Sequence, residues 1–162
     1  ASGVSVNWAL KAQELLNKDF RIAADVWSVT SWNELRRDGL AVDRHNLLNP
    51  GKQIKAFVTK QLKRRRGPVI AVSDFMRSVQ DQIAPWVEQD FYSLGTDGFG
   101  LSDTRGALRR HFKVDAESIV IAALHQLAES DVITKRKVKK AINKYQIHDV
   151  TAADAGNTEG SG

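Results

Sequence analysis

The 162-residue chain contains no cysteine. Disulfides and thiolate metal sites are therefore excluded, which suits the cytosol, and a cytoplasmic protein is expected. No apolar run approaches the ~20 residues of a membrane span, and the opening residues do not have the pattern of a secretory leader. The four histidines, His45, His111, His125 and His148, show no metal-ligand spacing with one another. None of the serines or threonines stands in a nucleophile elbow. No internal repeat is present. The sequence thus holds no independent set of catalytic, cofactor-binding or metal-ligating residues.

What is present is ordinary for a globular domain: 42% hydrophobic and 27% charged residues, in a length that can bury one sizeable core. The net charge of +5 is concentrated in two clusters. One is Lys63-Arg64-Arg65-Arg66. The other is Lys135-Arg136-Lys137 with Lys139, Lys140 and Lys144. Such patches can attract nucleic acid by releasing counterions. Neither is interleaved with aromatic platforms and neither accompanies a recognition helix, so a solvated face or a dock for an acidic partner is favoured and nucleic acid is not.

Along the chain, strand-like and helix-like runs alternate, which predicts an α/β fold with a mostly parallel sheet and helices on both faces. A first helix, capped by Ser5 or Asn7, carries Trp8, Ala12, Leu15 and Leu16 on one face. No strand precedes it, although helices in parallel sheets normally connect two strands. A missing first strand, and a chain cut from something longer, are expected. A bare strand edge would then take its missing neighbour from another polypeptide.

Ala23 to Thr30 reads as a buried strand. Ser31 and Glu34 have capping-box spacing and open a helix that Gly39 is expected to stop. Ala56 to Leu62 forms a short helix. Val69-Ile70-Ala71-Val72 and Phe91-Tyr92-Ser93-Leu94 are the next strands, with a helix from Phe75 to Ile83 between them. Arg105 to Phe112 is helical. Asp115 caps a helix from Ala116 to Glu129, whose Val120, Ala123, Leu124 and Leu127 form an apolar stripe, and Thr134 caps the last helix. A domain of 1–149 and a flexible tail of 150–162 are expected, because the tail cannot bury enough apolar surface to stay ordered.

The richest stretch runs from Gly95 to Arg105 and reads as a strand-to-helix turn. Gly95, Gly98 and Gly100 permit positive φ and close backbone approach. Ser102 or Asp103 can cap the following helix. Gly and Asp are common in any turn, so a structural role comes first. Gly98-Phe99-Gly100 is no dinucleotide fingerprint, and Asp97 and Asp103 would repel a phosphate. Mixed charge in one turn favours internal pairing, so Asp97, Gly98, Phe99, Gly100, Ser102, Asp103, Arg105 and the nearby His111 are assigned to an interface or structural turn. The alternative is a stand-alone binding module using this turn as its ligand site.

The string Gly95-Thr96-Asp97-Gly98-Phe99-Gly100, with Ser102-Asp103-Thr104-Arg105, resembles the C-terminal, transketolase-like domain of the homodimeric bacterial pyruvate dehydrogenases. So do Asp25-Val26-Trp27-Ser28-Val29-Thr30-Ser31-Trp32, Arg37-Asp38-Gly39, His111-Phe112 and Val114-Asp115-Ala116-Glu117. Ala1-Ser2-Gly3 with Asn7-Trp8-Ala9-Leu10 is similar to the end of that family's first strand and its first helix. The resemblance covers about residues 1–148. Departures are few: Ile54-Lys55-Ala56-Phe57 lacks common prolines, and Gln80 stands for another.

The resemblance implies a three-domain enzyme paired as a dimer. Thiamine diphosphate and magnesium belong to its N-terminal and middle domains, and this chain alone is expected to bind neither and to be inactive. The whole enzyme would decarboxylate pyruvate and reductively acetylate the lipoyl group of the dihydrolipoyl acetyltransferase component. This domain would pack the dimer and shape the approach to the active site.

Overall fold

A computed structural model describes residues 1–153. Its centre is a two-stranded parallel sheet, β1 (Val69–Val72) beside β2 (Phe91–Leu94), with Val69 opposite Phe91 and Val72 opposite Leu94. β1 is a short apolar run, as expected for a strand covered on two faces, β2 carries one serine among large side chains, and Ser73 and Gly95 follow them. Seven helices surround them among the described residues: α1 (Ser5–Phe20), α2 (Trp32–Leu48), α3 (Phe57–Leu62), α4 (Arg77–Asp81), α5 (Arg105–His111), α6 (Ala116–Glu129) and α7 (Lys135–Lys144).

Alternation along the strands divides the core in two. Ile70, Val72, Tyr92 and Leu94 face α1, α6 and α7, where Ala12, Leu16, Val120, Leu124 and Ala141 close the larger cluster. Ala71 and Phe91 face the other way, against Trp32, Val42, Val58 and Ile83. Helices thus cover both faces, and the α/β architecture read from the sequence holds.

Several expectations need correction. Ala23 to Thr30 runs extended but joins no ladder. Among the described residues its backbone bonds to Ala1: the Ala1 nitrogen donates to the Trp27 carbonyl at 2.8 Å, and the Val29 N–H donates to the Ala1 carbonyl at 2.8 Å. Ser2 in turn donates to the Val72 carbonyl at 3.2 Å. Ala1–Ser2 therefore stand between the extended segment and β1, in the place of a strand, and an open slot continues from them.

Gly39 does not stop α2; it lies buried in the middle of the helix. The helix expected over 75–83 is shorter, Arg77–Asp81, followed by a separate turn at Ala84–Trp86. At the start of α1 the capping position is Val4, with no side-chain cap, and Ser5 is already helical. Ser31 and Asp115 cap as read, accepting from Glu34 N–H at 3.2 Å and Ser118 N–H at 3.0 Å. Thr134 holds the cap position of α7 but accepts no helix N–H through its side chain. Of the tail expected at 150–162, Thr151–Ala153 form a single turn, and 154–162 lie outside the described residues. Among the described residues no helix is long and apolar enough to cross a membrane.

Candidate functional site at the carboxyl edge of the sheet

Parallel strands direct their carboxyl ends to one edge, where functional groups gather in open α/β sheets. Here that edge carries Ser73-Asp74 after β1 and the Gly95–Arg105 turn after β2. The two are tied together. Thr96 donates through its N–H to the Phe75 carbonyl at 3.0 Å and through its hydroxyl to the Asp74 carbonyl at 2.6 Å. Asp97 Oδ1 accepts from the Arg77 N–H at 2.9 Å, one of the free donors at the start of α4.

The glycines of the turn differ in their reasons. A Cβ on Gly95 would lie 2.5 Å from the Phe75 carbonyl oxygen and 2.9 Å from Gln80 Nε2, so no side chain fits. Gly98 takes φ of +114°, a conformation that L-residues avoid. Gly100 has neither constraint, since a Cβ there would meet open space. Behind Gly95, Gln80 is fully buried and donates from Nε2 to the Leu94 carbonyl at 2.7 Å.

The second half of the turn reaches into solvent. Phe99 is 95% exposed, Leu101 is 53% exposed, and Ser102, Asp103 and Arg105 are exposed. Asp103 Oδ1 accepts from the Thr104 N–H at 2.7 Å. The cap of α5 is Thr104, not Ser102 or Asp103: its hydroxyl accepts from the Ala107 N–H at 3.2 Å. Arg105 is the first residue of α5. Phe75 and Met76, both exposed, join Phe99 and Leu101 in giving this edge large apolar side chains. His111, at the far end of α5, meets the Phe112 ring edge to face, 5.0 Å between centroids.

The turn does not fit a diphosphate. Asp97 and Asp103 present carboxylates, and each already holds a backbone N–H that an anion would need. Nor, among the described residues, do three His, Asp or Glu side chains converge as metal ligands do.

Arg77 is the cation best placed at this edge: its Nε donates to Ser93 Oγ at 3.2 Å, and its guanidinium lies 5.5 Å from the centre of the Tyr92 ring. On α5, Arg109 sits 4.5 Å from the Trp8 ring centre; burial, and then repulsion from Arg105, lower its affinity for a proton.

Sequence reasoning missed the best-organised polar group. Arg110, 3% exposed, pairs through Nε with Asp115 and through NH2 with Glu117 at 3.4 Å, and donates to the Tyr145 carbonyl at 3.0 Å. This knot locks α5 to the start of α6 and the end of α7. Nearby, Tyr145 Oη donates to Asp19 at 2.7 Å, and Lys144 pairs with the same carboxylate at 2.7 Å. Arg109-Arg110-His111 gives no local sign of which cation turns inward.

Residues 1–115 match the family model of the transketolase-like TK C-terminal domain. The chain is also similar to proteins named pyruvate dehydrogenase E1 component. The one from Mycolicibacterium smegmatis is 51% identical over 154 residues, 94% of this chain, and the one from Mycobacterium tuberculosis is 49% identical over 160 residues, 98% of it. That from Escherichia coli K12 is 42% identical over 147 residues, 90% of this chain. The chain spans only 17% of the length of the two mycobacterial relatives and 16% of the third.

Proposed function

This chain belongs to the family of transketolase-like C-terminal domains, and from that membership we propose that it is the C-terminal domain of a pyruvate dehydrogenase E1 component. The observation that carries the reading is identity of 51% across almost the whole chain to a protein of that name. The whole enzyme oxidatively decarboxylates pyruvate and passes the acetyl group to the lipoyl group of the dihydrolipoyl acetyltransferase component. Thiamine diphosphate and magnesium are held by its N-terminal and middle domains, which agrees with the poor fit of the Gly95–Arg105 turn to a diphosphate.

The contribution of this domain is packing. Its carboxyl edge offers Phe75, Met76, Phe99 and Leu101 to a neighbour, and exposed apolar side chains gathered in one place mark interaction surfaces. In the assembled cytoplasmic homodimer they sit against the other domains or the second subunit and border the approach to the active site. The ties from Thr96 and Asp97 keep that edge in one shape.

The test uses the full-length polypeptide that contains this sequence. Pyruvate-dependent CO2 release that requires added thiamine diphosphate and magnesium, with acetylation of a lipoyl domain, is the expected result. Phe99→Asp in that polypeptide should shift sedimentation from dimer toward monomer. A parent that leaves pyruvate untouched under these conditions overturns the reading.

A further inference from the structure

Six cations lie on α7, and the structure sorts them into two groups. Lys135 pairs with Glu129 at 3.2 Å, Lys137 donates to the Phe20 carbonyl at 3.4 Å, and Lys144 pairs with Asp19 at 2.7 Å. These three tie α7 to the ends of α6 and α1. The side chains of Arg136, Lys139 and Lys140 are exposed and have no hydrogen-bond or ion-pair partner among the described residues. Their spacing of i, i+3 and i+4 puts them on one face of the helix. Val138, Ala141, Ile142 and Tyr145 have the same spacing on the opposite face and pack into the core.

That arrangement works against the helix. Arg136 has like-charged neighbours three and four residues on, and no acid stands among the residues of α7 to offset them. Lys135, Arg136 and Lys137 also fill the first turn, where the backbone dipole is positive and acids are favoured. Thr134 adds no side-chain cap there. What holds α7 is the burial of Val138 and Ala141 and the bonds of Asp19 to Lys144 and Tyr145. A surface that serves only solubility intersperses both signs of charge. A row of one sign, set against the preference of its own helix, is the kind of local conflict expected where something binds.

We propose that this face docks an acidic polypeptide. The complementary surface presents two or three carboxylates in a row about 6 Å long, the rise from Arg136 to Lys140, which Asp or Glu at i, i+3 and i+4 of a helix supplies. Three cations are too few for nucleic acid, whose binders engage about 6–10 phosphates, and no aromatic side chain stands in the row for a base to stack on. A membrane surface needs apolar side chains beside the cations, and those of α7 are turned into the core.

Pairs between exposed charges are individually weak and screened by salt, while complementary fields speed encounter. The docking is therefore fast and reversible, and it suits a partner that visits the domain and leaves. It involves none of the apolar side chains at the carboxyl edge of the sheet and stands apart from the pyruvate dehydrogenase reading.

The experiment uses the full-length polypeptide that contains this sequence, isolated from cells together with the proteins bound to it. Zero-length carbodiimide coupling joins a lysine amine to a carboxylate in contact with it. It should link Lys139 or Lys140 to Asp or Glu of a different polypeptide. Arg136→Glu should weaken binding of that polypeptide, once purified, by at least about tenfold, and exchanging the linked carboxylates for lysine should restore it. The same substitution should raise the melting temperature, because it puts an acid at the start of α7 and opposite charges at i, i+3 and i+4. Links confined to Glu129, Asp19 or other carboxylates of the same polypeptide overturn the inference. So do unchanged binding by Arg136→Glu, a lowered melting temperature for that variant, or retention of a short DNA duplex or of phosphatidylserine vesicles through this face instead of the polypeptide. None of these readouts depends on turnover of pyruvate.

Discussion

Gly39 and Trp86 are in closest approach: a Cβ on Gly39 would lie 2.3 Å from the indole ring. Trp86 fills the space over the middle of α2 and donates from Nε1 to Asp43, one turn further along, at 3.0 Å. In an exposed helix, Gly→Ala gains about 1 kcal/mol. Here the added methyl must displace a packed ring, which costs typically 1–3 kcal/mol, so Gly39→Ala should be net destabilising. Urea unfolding of the two chains decides it, and a gain in midpoint would show that Trp86 moves freely.

The Arg110–Asp115 pair is buried, with side chains 2% and 7% exposed. Removing one partner of such a pair typically costs about 3–5 kcal/mol, because the other is left charged without water. Asp115→Ala also removes the cap of α6. It should therefore be among the most damaging single changes in the domain, and Arg110→Met combined with Asp115→Ser should cost less than the sum of the two single changes. Chemical denaturation of all four forms closes the cycle, and strict additivity would show that the pair is not coupled.

At the turn, Thr104→Ala should cost about 1 kcal/mol, the usual loss for an N-cap. Asp103→Ala removes only a bond to the adjacent N–H on the surface and should stay within about 0.5 kcal/mol. Thermal melts of both variants rank them, and the opposite order would reassign the cap.

Stability should depend on pH at three groups. Burial lowers the Ala1 ammonium from 8.0 to about 6. A depressed folded value gives stability that is present above pH 8 and lost as pH falls toward 6, so the chain with a free Ala1 amine should gain about 2 kcal/mol across that window. Acetylating the amine should flatten the rise.

Asp19 is held below the ordinary carboxylate value of 3.8 by hydrogen bonds from Lys144 and Tyr145, so its contribution is present above that value and lost at lower pH. Tyr145 is pushed up from 10.0 by burial and then by Asp19, so its contribution is present below pH 10 and lost above it. Tyr145→Phe should lower the melting temperature at neutral pH and flatten its fall at both the acid and the alkaline end, as read by melting between pH 2 and 11.

What was legible in the sequence was what neighbours in the chain decide. Val69–Val72 stood out as a continuous apolar run, Phe91–Leu94 as a short β-like one, and Ser31 and Asp115 as caps, because those signals lie within a few residues. Gly39 was misread because its reason, Trp86, is distant in sequence, and a mid-chain glycine otherwise looks like a helix end. Ala23–Thr30 had the composition of a strand, yet among the described residues no ladder forms along it. At the candidate site, the role of Asp97 was visible as a tendency to pair internally, but its partner, the Arg77 N–H, depends on how α4 returns to the sheet. Arg110 was hidden between two other basic residues.

The packing of α1 on α6 also has a consequence in time. Helix α1 has its apolar face covered by one made about a hundred residues later, and at ordinary elongation rates that interval is about 5–20 s. Until then Trp8, Leu15 and Leu16 lack the α6 part of their native surroundings, and a nascent chain stalled before Ala116 offers them to chaperones.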